Sequence, residues 1–237
     1  MNNATAYDKI LVIAAHPDDE ILGSGATVKK WINSGTTAYA LILAQGVISR
    51  FSDVKGEEKE IQTKLNNLKK ESNASADIIG FSELYFEDFP DNRMDSVDLL
   101  DVIQSIEKHV ERIKPTIILT HHTGDLNIDH RVTFEAVITA CRPLSGSSVK
   151  KLYSFQIPSS TEWHFPYHKN SFSPNTFIDV SSTIHSKIEA MKCYKSEMRK
   201  APHPRSEDIL MTIAGQWGSV ANMEYAEAFE LIYSIED

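Results

Sequence analysis

The sequence predicts an α/β fold with a mostly parallel sheet covered by helices on both faces, and three observations carry that expectation. Apolar runs such as Ile10–Ala15 and Ala38–Ala44 are continuous, as in strands buried on both faces, and do not alternate with polar residues. The segments between them place apolar residues at helical spacing with charged residues on the other face. Runs and helical segments then alternate at the pitch of βαβ units, which require a parallel sheet.

Each element follows in order. After the opening run a helix is expected over residues 21–33, with Gly35 where a C-terminal cap belongs. The second apolar run leads into a loop at 45–52. Ile61, Leu65, Leu68 and Ile79 mark the next helix, and Leu84–Phe89 a third strand. Leu99, Ile103, Ile106, Val110 and Ile113 form an amphipathic stripe that Pro115 helps to end. Thr116–Thr120 then reads as a strand and Val132–Cys141 as a helix. The last third is less regular. Leu152–Ile157 and Thr176–Val180 read as strands around a Pro- and aromatic-rich loop. Ile184, Ile188, Met191 and Met198 open a helical section, a helix is expected near 206–213, and Ala226–Ile235 is expected as a closing helix. No repeat, low-complexity stretch or linker interrupts the chain. The expectation is one domain over 1–237, with a regular core at 8–141 and a less regular section at 142–237.

Composition excludes several functions. The 237 residues carry 24 Lys+Arg against 33 Asp+Glu, a formal net charge of −9, which disfavours nucleic acid as a partner. No apolar run reaches the ~18 residues of a membrane span, and the N-terminus lacks the basic-then-apolar pattern of a secretory signal. Cys141 and Cys193 are too few and too distant for a disulfide framework or a cysteine zinc site. The expected location is the cytoplasm.

Ligands of parallel α/β sheets bind beyond the carboxyl ends of the strands. Here the first strand ends in His16-Pro17-Asp18-Asp19-Glu20, the second runs toward Arg50, and the strand at 116–120 runs into a polar stretch from His121 to Arg131. Acids opening a helix are favoured by its dipole, which explains Asp and Glu but not His16. A His and a carboxylate three residues apart on a turn can converge on one cation. His130 is the best third ligand, giving the open site of zinc catalysis. Two His, one Asp and no Cys suit zinc or another first-row divalent ion better than magnesium. Asp18, beside the ligands, could take a proton from attacking water, help typically worth ~10²–10⁴ in rate. Asp129 could orient an imidazole, and Arg50 could clamp a hydroxyl-rich or anionic substrate or be a solvated loop residue. His121 and His122 close a strand at the expected site, where either could bind substrate or hold the loop.

Ala15-His-Pro-Asp-Asp-Glu20 and Asp129-His130-Arg131 resemble the two signatures of the PIG-L/LmbE-like zinc-dependent de-N-acetylases. The layout agrees over roughly residues 8–141. The resemblance implies a three-layer α/β/α Rossmann-like fold and hydrolysis of an N-acetyl group, usually from an amino sugar. It implies His16, Asp19 and His130 as Zn²⁺ ligands, Asp18 as general base and Arg50 as a substrate contact. One departure stands out: many members carry a second His three residues before the zinc-binding one, and this chain has Asn127 there. An amide can donate to an oxyanion but cannot serve as an ordinary general acid. Between Pro202 and Pro204, His203 is either the replacement for that acid, with Arg205 binding substrate, or part of a stiff surface loop ahead of the helix near 206–213.

The expected partner is a small N-acetylated sugar, with a homo-oligomer left open. Two rivals remain: a divalent-metal glycosyltransferase acting on a sugar nucleotide, which leaves His16 and His130 without a role, and a sugar-binding protein that has lost catalysis.

Overall fold

The computed structural model describes residues 9–46, 58–165 and 170–236. Seven strands form one sheet: β1 (Lys9–Ala14), β2 (Thr37–Ala44), β3 (Glu83–Phe89), β4 (Ile117–His121), β5 (Lys151–Phe155), β6 (Thr176–Asp179) and β7 (Ala226–Ser234). Among the described residues six α-helices accompany it: α1 (Asp19–Asn33), α2 (Glu58–Ile79), α3 (Leu99–Ile113), α4 (Ile128–Ala140), α5 (Ile184–Cys193) and α6 (Glu207–Val220). The strand order is β3-β2-β1-β4-β5-β7-β6. The first five strands run parallel, and β7 lies antiparallel to both β5 and β6.

The sheet is apolar on both faces because both are covered. Ile10 and Val12 point into one core with residues of α1, α2, α5 and α6, while Leu11 and Ile13 point into the other with α3 and α4. Alternate residues of one strand thus serve two cores, which is why the run is continuously apolar. The α1 helix lies close on β5: a Cβ at Gly23 would fall 2.3 Å from the Phe155 ring. Gly35 adopts φ +101 just past α1, a conformation that glycine takes without steric cost.

The expected closing helix at 226–235 is instead the strand β7. Its residues are fair helix formers taken singly, but the open position between β5 and β6 decides. Glu227 and Glu230 would share a helix face; in the strand they point to opposite sides. Glu227 meets Lys187 of α5, and Glu230 meets His122 and Ser154.

The strand order reverses direction at β1, with β2 on one side and β4 on the other. A crevice opens at such a switch point beyond the carboxyl ends of β1 and β4. None of the described helices is long and apolar enough to cross a membrane.

Candidate metal and catalytic site

The turn after β1 is tied by its own acids. Asp19 Oδ2 accepts the His16 N–H at 3.0 Å, and Glu20 Oε2 accepts the Asp18 N–H at 3.0 Å. Asp18 takes φ +100, unusual for a residue with a side chain, and this bends the chain from strand into helix. The other oxygen of Glu20 accepts the Tyr194 hydroxyl at 2.6 Å, wholly out of water, and burial pushes the Glu20 carboxyl up to about 7. The acids at the start of α1 therefore hold the turn that carries them.

His16, Asp19 and His130 offer ligand atoms within 4.8 Å of one another. Asp19 Oδ2 lies 3.3 Å from His16 Nδ1 and 3.1 Å from His130 Nε2. Ligands at ~2.0–2.1 Å around a tetrahedral zinc stand about 3.3 Å apart, so this donor set fits such an ion. The remaining nitrogen of each imidazole meets a carboxylate. His16 Nε2 donates to Asp129 Oδ2 at 2.9 Å. His130 Nδ1 lies 3.0 Å from Asp125 Oδ1, off the line of a full hydrogen bond. These carboxylates leave the facing nitrogens for a cation.

Both orienting acids are themselves held. Asp129 accepts the N–H groups of Asn92 and Met94 at 2.6 and 3.0 Å. Asp125 accepts from the Ser160 and Thr161 hydroxyls and from the Asn127 N–H. The charges respond accordingly. Burial works against protonated imidazoles, yet the surrounding acids raise His16 to about 10 and His130 to about 9. Asp19, although burial opposes its ionisation, is held well below the usual carboxylate range by His130 and His16. The cluster favours positive charge at its centre, as a divalent cation would supply.

Asp18 stands beside these ligands, and Arg205 Nη1 donates to its Oδ2 at 2.7 Å. Burial pushes its carboxyl well above the ordinary value, and Arg205 pulls the other way. A cavity of about 530 Å³ opens over the cluster, lined by His16, Asp18, Asp19 and His130. Asp91, Asn92 and Asn127 add polar wall, with the exposed Leu126 and Trp163 as apolar wall.

Other expected residues fall differently. Asn127 reaches the cavity, but its Oδ1 caps α4 by accepting the Asp129 N–H at 2.8 Å and its amide donates to Asn92 at 3.1 Å. Of the two readings for His121 and His122, substrate contact or a hold on the loop, the geometry favours the second, since neither lines the cavity and each meets a backbone group. His121 is fully buried, accepts the Ala15 N–H at 2.8 Å and stacks on His130 at 3.9 Å. His122 is turned to Glu230 at 2.8 Å and the Asn170 carbonyl at 2.9 Å. His203 also lies off the cavity wall, against Trp163, with its Nδ1 accepting the Arg205 N–H at 3.1 Å. Asp129 bonds to His16 and not to the adjacent His130. Arg50 lies outside the described residues.

Asp91, Asn92 and Glu197 are among the residues of the site that escape sequence reasoning. The first two follow β3 in Phe89-Pro90-Asp91-Asn92, and the strand-end rule that locates His16 would have found them. Glu197 carries no signal, because only the fold brings it to Arg205, at 3.3 Å.

Fold and site together define an α/β protein with a cluster of two histidines and one carboxylate at the switch point of its sheet, a donor set that could hold a metal ion. The chain belongs to the GlcNAc-PI de-N-acetylase family, PIG-L, whose model matches residues 11–141. It is 28% identical over 234 residues to the diacetylchitobiose deacetylase of Thermococcus kodakarensis, covering 96% of this chain and 84% of that one. Among solved structures it resembles N,N'-diacetylchitobiose deacetylase from Pyrococcus horikoshii, with TM-score 0.76, 20% identity and coverage of 98% of this chain and 86% of the other. It also resembles GalB, the 4-carboxy-2-hydroxymuconate hydratase from Pseudomonas putida, with TM-score 0.75, 20% identity and coverage of 97% and 98%. The shared fold thus serves a hydratase as well as deacetylases, and the choice of reaction rests on the site and the sequence relatives.

Proposed function

We propose that this protein is a zinc-dependent N-deacetylase that releases acetate from an N-acetylated amino sugar or sugar conjugate. The observation that carries the proposal is the convergence of His16, Asp19 and His130 with the non-ligating Asp18 beside them on one cavity. Family membership and the deacetylase relative support the reaction class.

His16, Asp19 and His130 would hold the metal. Zinc bound there supplies a Lewis acid for the acetyl carbonyl and lowers the pKa of a water toward ~7. Asp18 removes a proton from the attacking water and is placed to return it to the departing amine, since Asn127 cannot act as an acid. Asp129 and Asp125 keep His16 and His130 in the tautomers that face the centre. Asn127 and Asn92, linked side chain to side chain, offer amide groups at the cavity wall. Leu126 and Trp163 give an apolar surface against which a sugar ring can pack. A cytoplasmic location and a single domain belong to the same proposal; the first is supported by the low cysteine count and the second by the one continuous sheet.

The test replaces Asp18 by Asn and follows acetate release from N-acetylglucosamine, N,N'-diacetylchitobiose and N-acetylated glycoconjugates. The variant should keep one zinc per chain and lose at least ~10²-fold in kcat, the low end for a general base. Retention of most of the activity would remove Asp18 from the mechanism.

A further inference from the structure

The sequence suggests Arg205 as a substrate contact, but its donors are committed to protein. Nη1 donates to Asp18 Oδ2 at 2.7 Å and lies 3.3 Å from Glu197 Oε2. Nε donates to Ser159 Oγ at 2.8 Å and approaches the Pro158 carbonyl at 3.3 Å. Only Nη2 takes no hydrogen bond to a described residue, and one nitrogen is not the two-pronged fork by which arginine clamps an anion.

The segment carrying Arg205 is also fixed. Its N–H donates to His203 Nδ1, and the next residue, Ser206, caps α6 through its hydroxyl. His203 in turn packs edge-on against Trp163 at 5.6 Å. The 158–159 turn and Glu197 therefore hold the guanidinium, while His203 and Ser206 fix the backbone that carries it. At the other end of the contact, Asp18 is 3% exposed, and no described residue other than Arg205 bonds to its carboxylate. Its backbone N–H is already used by Glu20.

We infer that Arg205 is a positioning residue for Asp18, fixing Oδ2 so that Oδ1 faces the water it deprotonates, and that His203 braces Arg205 and is not the missing acid. The inference rests on Asp18 being the general base. It gives the C-terminal section a defined part in catalysis, in which residues 197–206 aim a side chain supplied by the loop after β1. A carboxylate freed to rotate leaves the productive geometry, and misplacement by about 1 Å can cost ~10²-fold in rate.

The experiment compares Arg205→Ala, Arg205→Lys, Asp18→Asn and the Asp18→Asn/Arg205→Ala double variant, with zinc content and circular dichroism measured on each. N-acetylglucosamine and N,N'-diacetylchitobiose serve as probes. For Arg205→Ala, kcat should fall about 30- to 100-fold with KM within threefold and zinc still stoichiometric. Arg205→Lys, which keeps the charge without the planar fork, should fall between, and added guanidinium ion should restore part of the kcat of Arg205→Ala. The double variant should be no slower than Asp18→Asn, because the two residues act as one unit. A rise in KM with kcat kept would make Arg205 a substrate clamp and overturn the inference. Losses that multiply in the double variant would overturn it equally. Should Asp18→Asn itself stay active, the general-base assignment fails first and the inference falls with it.

Discussion

Asp125 gives the sharpest prediction about the proposed metal centre, because it is not itself an expected ligand and yet is buried beside one. Its Oδ1 lies 3.0 Å from His130 Nδ1, while Ser160, Thr161 and the Asn127 N–H hold the carboxylate in place. Burial opposes its charge, but His130 and the two hydroxyls keep it well below the usual carboxylate range, so it is ionised at neutral pH. Asp125→Asn keeps the shape and removes the charge. His130 then loses the acceptor that favours a proton on Nδ1 and a lone pair on Nε2. Loss of such a partner typically weakens metal binding by about 10–100-fold, or about 1.4–2.8 kcal/mol. The serine and threonine hydroxyls can rotate toward the remaining oxygen, so the fold should lose only about 1–2 kcal/mol. Competition with a chromophoric chelator at pH 7 measures the affinity, and a thermal melt checks the fold. Zinc affinity within twofold of the parent in a folded Asp125→Asn protein would refute the orienting role.

Further predictions concern the frame around the site. Lys187 and Glu227 form a buried ion pair at 2.6 Å, and Glu227 also accepts the N–H groups of Ala26 and Thr27 inside α1. Lys187→Met should cost about 3–5 kcal/mol by leaving a buried carboxylate without its cation, and Lys187→Met/Glu227→Gln should recover part of that in urea denaturation. His122 faces two acceptors, Glu230 and the Asn170 carbonyl, and both ring nitrogens donate only when the ring is charged. Burial opposes that charge, yet Glu230 and the carbonyl raise His122 above 6.5. The reciprocal contact lowers Glu230 below 4.5 despite partial burial. The His122 contribution is complete below pH 6.5 and fades as pH rises through its raised value; the Glu230 contribution is present above pH 4.5 and fades as pH falls. The stability lost in Glu230→Gln should therefore peak between about pH 4.5 and 6.5, measured by denaturation across pH. A difference that does not vary with pH would dismiss the charged pair.

What the sequence made legible follows from how locally each feature is encoded. β1 and α1 were readable because an uninterrupted apolar run and a helical stripe are properties of adjacent residues. The convergence of His16, Asp19 and His130 was readable because His16 and Asp19 share one turn and His130 lies in the first turn of a helix after another strand. The β7 strand was not, since the residues of 226–234 favour a helix in isolation and only the sheet position between β5 and β6 makes them a strand. For His121 and His122 the sequence leaves two readings open, substrate contact or a hold on the loop. His121 and His122 end a strand at the site, but their rings turn inward to Ala15 and Glu230, and chain position does not show ring direction. The contact of Arg205 with Asp18 spans 187 positions and could be found only by folding the chain.

The most direct test of the central claim is acetate release before and after metal removal. Protein purified without added ions should hold about one zinc per chain, lose acetate release from N-acetylated sugars on chelation, and regain it with one equivalent of zinc. His16→Ala and His130→Ala should abolish both the zinc and the activity. Acetate release that persists in metal-free protein, or in a His130→Ala variant that binds no zinc, would contradict a metal-centred deacetylase at this site.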